Sequence, residues 1–295
     1  WCWRDEVFGR EATGFGLTGH GDRVEERIAA LQVTGEALQR YNDLLDAYQP
    51  DEPAVGVLFV PDNYQLAWTQ DGNANLAGEA LEGYLLSLER LSVPYRVVSS
   101  THLILPWPLI VPEETARRLH PFVEEGGTLV CETELDAFSA PGFYREPGPE
   151  RPFATALGIR DHGRRLPPLG RVDVSLDGRT YALQPGAWVS PLEAEGAEVL
   201  ALLEGRQPLA TRRKLGQGEV YALGTFLGQP YYQERNVDFE GFLRAIVRRA
   251  GAEPSILVQP VDMGENIQWR SGLSGAERLL FLINPGPARL IRVEM

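Results

Sequence analysis

Apolar residues along the chain keep two different rhythms, and the change between them divides it. After a glycine-rich opening, with Gly9, Gly14, Gly16, Gly19 and Gly21 reading as a loop, Asp22 can cap a helix reaching about Ala47. Ile28, Leu31, Leu38, Leu44 and Leu45 lie near helical spacing in it. Gln49-Pro50-Asp51-Glu52-Pro53 then reads as a linker and a first domain boundary. Beyond it, Ala54–Val60 is a continuous apolar run, the mark of a strand covered on both faces. A helix over Asn75–Leu91 carries Leu81, Leu85, Leu88 and Leu91 on one face. Strands follow at Tyr95–Val98 and His102–Pro106. Next come a helix from Pro112 to Glu125, with Glu113 and Glu114 suiting its positive N-terminal end, and a strand at Thr128–Cys131. Alternating strands and helices predict an open, largely parallel sheet.

From residue 165 the rhythm turns to strands. Arg171–Leu176 and Arg179–Leu183 flank Asp177-Gly178, a hairpin turn signal. Val199–Leu203 and Glu219–Phe226 are strand-like, and Phe239–Ala250 returns to helix before Gly251. Ile256–Val261, Ile267–Arg270, Arg278–Asn284 and Leu290–Val293 predict four short strands with no helix, as at the start of a small antiparallel β domain. One join is awkward: only Ser99, Ser100 and Thr101 separate two expected parallel strands, which ordinarily need a longer crossover.

Composition narrows the class. The 295 residues exceed one ordinary domain, and two or three units are expected. A net charge of −13 repels phosphate backbones and anionic lipid, so neither nucleic acid nor a membrane is an expected partner. The longest apolar run, Leu103 to Val111, is interrupted by Pro106 and Pro108 and is too short to span a bilayer. Two cysteines, Cys2 and Cys131, form neither a disulfide framework nor a zinc motif, which suits a reducing compartment. No cofactor is expected. The opening Trp1-Cys2-Trp3-Arg4 lacks Met and signal-peptide features, and reads as a buried strand of a larger protein.

Several residues could carry chemistry. Cys131 ends a predicted strand, but its Leu-Val-Cys-Glu-Thr context lacks the glycines and the histidine partner of a nucleophile elbow, so a buried structural thiol is expected. Glu132, Glu134 and Asp136 could hold a metal. With no nearby His or Cys, a solvated loop face is the expectation. His20, His102, His120 and His162 show no ligand spacing. Gly16, Gly19 and Gly21 follow no strand and form no nucleotide fingerprint.

Three stretches carry a family resemblance: WCWRDEVFGREATGFGL at the start, LPWPLIVPEETARRLHPFVEEGGTLVCETELDAF at 105–138, and GQGEVYALGTFLG at 216–228. Together they resemble glycoside hydrolase family 42 β-galactosidases. The resemblance implies three parts: the end of a (β/α)8 catalytic barrel over 1–48, a class I glutamine amidotransferase-like α/β domain serving trimer assembly over 49–252, and an antiparallel β domain over 253–295. It implies a parent that hydrolyses terminal β-D-galactosides by a retaining mechanism, and the sparse cysteines make the cytoplasm the expected compartment. Its acid/base and nucleophile glutamates would sit about 5–5.5 Å apart, on barrel strands preceding this chain. Trp1 would then wall the bound galactose and Glu11 would hydrogen-bond its hydroxyls. Some members carry a His three residues after that Glu, where this chain has Gly14. The alternatives are a non-catalytic oligomerisation or carbohydrate-binding module and, with less support, a cysteine enzyme of amidotransferase-like fold. Trp107, held between Pro106 and Pro108, is either an aromatic anchor of the trimer contact or a residue packed within its own domain.

Overall fold

The computed structural model describes residues 16–17, 25–98, 104–260, 267–284, 286–288 and 290–294. In chain order the elements begin with α1 (Glu25–Arg40), α2 (Asn42–Asp46), β1 (Tyr48–Pro50), β2 (Val55–Leu58), α3 (Pro61–Asp71), α4 (Asn75–Arg90), β3 (Tyr95–Val98) and β4 (Ile104–Leu105). Next come α5 (Glu113–Glu124), β5 (Thr128–Cys131), α6 (Pro152–Ala156), β6 (Val172–Leu176), β7 (Arg179–Leu183), β8 (Glu198–Leu203), β9 (Gln207–Leu215) and β10 (Gly218–Leu223). The chain closes with α7 (Gly228–Gln233), α8 (Val237–Arg249), β11 (Leu257–Pro260), β12 (Gln268–Ser274), β13 (Glu277–Ile283) and β14 (Ile291–Glu294). Two compact units divide it: Trp1–Asp51 with Ser271–Phe281, and Glu52–Arg270 with Leu282–Met295.

In the first unit the expected helix over 22–47 is broken at Tyr41 into α1 and α2, and Leu31 and Leu38 are exposed. Gln49 and Pro50, the first two residues of the expected 49–53 linker, belong instead to a strand, β1, running antiparallel to β12 from Tyr48↔Ser274 to Pro50↔Gly272. A side chain at position 272 would meet the Gln49 carbonyl oxygen at 2.2 Å, so this close pairing requires glycine. Arg278 anchors the approach by donating to both oxygens of Asp51 at 2.9 and 3.0 Å.

The second unit is built on a seven-stranded sheet in the order β3-β2-β4-β5-β10-β9-β8. Its first five strands are mutually parallel; β9 and β8 continue antiparallel. The mixed α/β reading therefore holds. β2 and β5 are buried at every position, as their unbroken apolar runs require when helices cover both faces. The join at 99–101 lies outside the described residues. On either side of it, Val98 lies beside Leu58 and Ile104 beside Val57, with β3 and β4 on opposite sides of β2, and β4 is only two residues long.

Helix α4 buries Ala77, Ala80, Tyr84 and Leu88, a smaller-residue face than its leucines suggested. The reason is its neighbour: a Cβ on Gly83 would strike the Gly228 carbonyl at 1.9 Å, and one on Gly228 the Ala80 carbonyl at 2.1 Å. Paired glycines thus let α4 and α7 touch backbone to backbone. The 177–178 turn forms as its sequence predicts, with φ of 51° at Asp177 and 77° at Gly178, both left-handed. Asn236 caps α8, accepting from the amides of Asp238 (2.9 Å) and Phe239 (3.3 Å). The four C-terminal strands form but fall into two separate sheets: β12 and β13 join β1, while β11 pairs with β14.

Candidate functional site

Trp1 and Glu11 lie outside the described residues, as do His20 and His102. The described chemistry gathers instead at the C-terminal ends of β4 and β5, the edge where open α/β sheets usually form a binding crevice. Trp107 follows β4 with φ of 49°; Glu134 and Asp136 follow β5 with φ of 55° and 59°. Each non-glycine residue held left-handed costs about 1–3 kcal/mol, so the surroundings must over-determine this edge.

Hydrogen bonds show how. Asp136 N–H donates to the Pro108 carbonyl at 3.0 Å and Phe138 N–H to the Leu109 carbonyl at 2.8 Å, stitching one strand-end loop to the other. Asn63 of α3 clamps Ile110 from both sides, accepting from its amide at 2.7 Å and donating to its carbonyl at 3.1 Å. At the centre Glu132 is buried; its Oε1 accepts from the amides of Leu227 (2.6 Å) and Gly228 (3.0 Å), and its Oε2 from that of Trp107 (3.0 Å). Burial pushes this carboxyl up to about 7, against the lowering effect of those amides. The Tyr84 hydroxyl faces the same carboxylate but makes no hydrogen bond of normal geometry. Burial first, then the charge of Glu132, raises its pKa.

The acidic cluster is therefore not a solvated loop face, contrary to the sequence expectation: Glu132, Glu134 and Asp136 are all 2% exposed. Counter-ions drawn from later in the chain make this tolerable. Arg164 Nε donates to both Glu134 oxygens at 2.8 and 2.9 Å, and its guanidinium lies 3.9 Å from the Trp188 ring centroid. Arg145 pairs with Asp136. Arg151 is fully buried, donating to Asp161 at 2.6 Å, the Tyr144 hydroxyl at 2.8 Å and the Arg145 carbonyl at 2.8 Å. Burial raises the pKa of Glu134 and of Asp136, opposed by Arg164 and Arg145 respectively. Sequence reading missed these arginines. The available signal was three carboxylates following the apolar run Leu129-Val130-Cys131, where no solvent can be assumed.

Trp107 is 2% exposed, stacked on Phe226 at 4.0 Å and edge-on to Trp188 at 5.1 Å. It packs inside its own unit, so the interface-anchor reading is corrected. Cys131 is buried in the strand, and desolvation pushes its thiol up, the opposite of what a nucleophile needs. His120 and His162 stand beside Glu124 and Glu193 rather than Cys131. Among the described residues no group of His, Cys, Asp and Glu is arranged to hold a metal ion, and no helix is long and apolar enough to cross a membrane. Trp107, Glu132, Glu134 and Asp136 are thus all buried at this edge, and each of the three carboxylates is engaged by amides or an arginine.

No curated protein matches the chain. Solved structures similar to it include a catalytic mutant of Gan42B, a family 42 β-galactosidase from G. stearothermophilus, at 19% identity and a TM-score of 0.76, over 95% of this chain and 41% of that one. The β-galactosidase from Bacillus circulans sp. alkalophilus gives 19% identity and a TM-score of 0.77, over 95% and 42%. An α-L-fucosidase isoenzyme from Paenibacillus thiaminolyticus also shares the fold, at 14% identity and a TM-score of 0.62, over 93% and 45%. At such identities the likeness speaks to fold, and the chain spans less than half the length of these proteins. Residues 94–250, just over half the chain, match the family model described as the β-galactosidase trimerisation domain. The chain belongs to this trimerisation-domain family of the glycoside hydrolase family 42 β-galactosidases.

Proposed function

We propose that this chain is the assembly portion of a cytoplasmic β-galactosidase that works as a homotrimer and hydrolyses terminal non-reducing β-D-galactosides. The observation that carries the reading is the match of residues 94–250 to a trimerisation domain. The burial and internal pairing of the carboxylates at the strand-end edge support it, since a domain kept for assembly has no use for reactive groups there. In this reading residues 1–48 complete a (β/α)8 barrel, 49–252 form an amidotransferase-like assembly domain, and 253–295 belong to an antiparallel β domain. The acid/base and nucleophile glutamates of a retaining mechanism precede Trp1 in the parent. Trp1 offers a ring face to the C–H side of galactose, and Glu11 accepts from its hydroxyls. Barrel enzymes carry such residues on strand-end loops.

The test has two arms. The purified chain is expected not to release chromophore from a chromogenic β-galactoside. Turnover that disappears on replacing one of its own carboxylates would overturn the division of labour. Sedimentation velocity of the chain at tens of micromolar is expected to show a discrete trimer, and a clean monomer would sink the assembly role.

A further inference from the structure

Residues 163–171 read Gly-Arg-Arg-Leu-Pro-Pro-Leu-Gly-Arg, and their apolar side chains are turned outward. Leu166 is 90% exposed and Leu169 is fully exposed, the two most solvent-accessible large hydrophobics described. Singly exposed apolar residues are ordinary, but two leucines held out on one short arm are not. The arm is fixed at both ends. Arg165 pairs through its backbone with Val189 at 2.8 and 3.0 Å, Arg164 is tied to Glu134, and β6 begins at Val172. Pro167 and Pro168 lock their own φ, so little further order would be lost on burial.

A groove of about 620 Å³ runs beside the arm, between β6 and β8, with Pro168, Val172, Val199, Leu202 and Glu204 among its lining residues. Val199 and Leu202 are 41% and 44% exposed. β8 closes the seven-stranded sheet, and its pairing with β9 is bulged at Val199/Ala201 and again at Ala201/Leu202. A bulged edge disfavours addition of another strand, so side-chain docking is the mode that fits. Charge favours a second copy of this chain as the occupant. Of the segment's three arginines, Arg164 is held by Glu134 and Arg171 lines the groove itself, while Arg165 bonds Gln207 and pairs with no carboxylate among the described residues. Asp173 and Glu204 also line the groove, so an arm carrying Arg165 meets opposite charge there. Both arm and groove lie inside the residues that match a trimerisation domain.

We infer that the Leu166–Leu169 arm of one copy seats in the β6/β8 groove of the next, each copy giving an arm and receiving one. Identical heterologous contacts of this kind form a closed trimer when successive copies are related by a threefold rotation. The inference rests on the trimer reading above.

Sedimentation velocity of the full chain tests it, comparing the parent sequence with Leu166→Asp/Leu169→Asp, with Leu202→Asp, and with the control Phe143→Asp. Circular dichroism checks folding. The arm leucines project into solvent, so aspartate there leaves the core untouched. The expected result is a trimer for the parent and the control, and association weakened by roughly a hundredfold or more in the arm variant, from the lost burial of two leucines. Leu202→Asp is expected to act in the same direction. A parent trimer that survives the arm substitutions overturns the arm assignment and leaves the trimer standing, as does equal loss of the trimer in the control. A monomeric parent overturns both readings.

Discussion

Replacing Glu132 by glutamine should change not only the stability of the second unit but the way that stability depends on pH. The carboxylate is buried with three amide donors and no cation among its hydrogen-bond partners. Its pKa stands at about 7 against an ordinary 4.5. A folded pKa above the unfolded one means that the group's contribution is fully present below pH 4.5 and is lost as pH rises through about 7. The loss across that window is about 3 kcal/mol in order of magnitude. Glutamine does not titrate. Its oxygen can keep the Leu227 and Gly228 amides, but its amide nitrogen then faces the Trp107 N–H, donor against donor, which costs about 1–3 kcal/mol. The variant should therefore be weaker than the parent sequence at pH 5, and the gap should shrink or reverse by pH 8. Glu134 and Asp136 also have raised pKa values, but their contributions are common to both proteins and cancel in the difference. Urea unfolding followed by tryptophan fluorescence suits the measurement, because Trp107 and Trp188 report from the same cluster. Stability differences that stay constant from pH 4.5 to 8 would refute the reasoning.

Trp107→Ala should cost about 3–5 kcal/mol by emptying the stack on Phe226, seen as a lower urea midpoint; an unchanged midpoint contradicts its burial. Asp161→Asn leaves Arg151 charged in the interior and should destabilise by about 3 kcal/mol, read the same way, and a midpoint that does not move would mean that the pair is not desolvated. The native chain should resist thiol reagents at Cys131 until it is unfolded, and Cys131→Ser should leave turnover of the intact enzyme nearly unchanged. In that same intact enzyme Glu11→Gln should lower kcat/KM by an amount equivalent to about 1.5–3 kcal/mol, as a charge-assisted hydrogen bond becomes neutral; full activity would remove Glu11 from the site.

The centre of the parallel sheet was legible because Val55–Leu58 and Leu129-Val130-Cys131 are short unbroken apolar runs, the pattern that a strand covered by helices on both faces requires. α5 was legible through Pro112 and the two glutamates after it. α3 was missed, although Pro61 at its start and left-handed Gly72 at its end were standard signals, because only Asn63, Leu66 and Ala67 face inward and three residues make no visible rhythm. β9 was not read as a strand, since Arg212, Arg213 and Lys214 interrupt its apolar run; in the structure Arg212 pairs across the strands with Glu198. The buried ion pairs were out of reach for a different reason. Glu134 and Arg164 are thirty residues apart in sequence, and Arg151 and Asp161 meet only after the strand-end loops fold. A local pattern can show that carboxylates follow a buried strand, but not which arginine will neutralise them.

That distinction bears on why the strand-end edge looks like a site and yet has its carboxylates buried and paired. Left-handed residues, buried carboxylates and stacked aromatics are also what an α/β enzyme concentrates there, because strain and desolvation make groups reactive. Reactivity, however, needs a group left incompletely satisfied and open to a ligand. Here Glu132 has three amides, Glu134 and Asp136 each have an arginine, and the Trp107 ring occupies the space between the loops. The same features then act in the opposite sense: they fix the ends of β4, β5 and β10 to one another. Fixing them also holds Arg164, at the root of the 166–169 arm, against Glu134 and Trp188. A rigid, inert strand edge is what an assembly domain needs if its docking arm is to stand in one place.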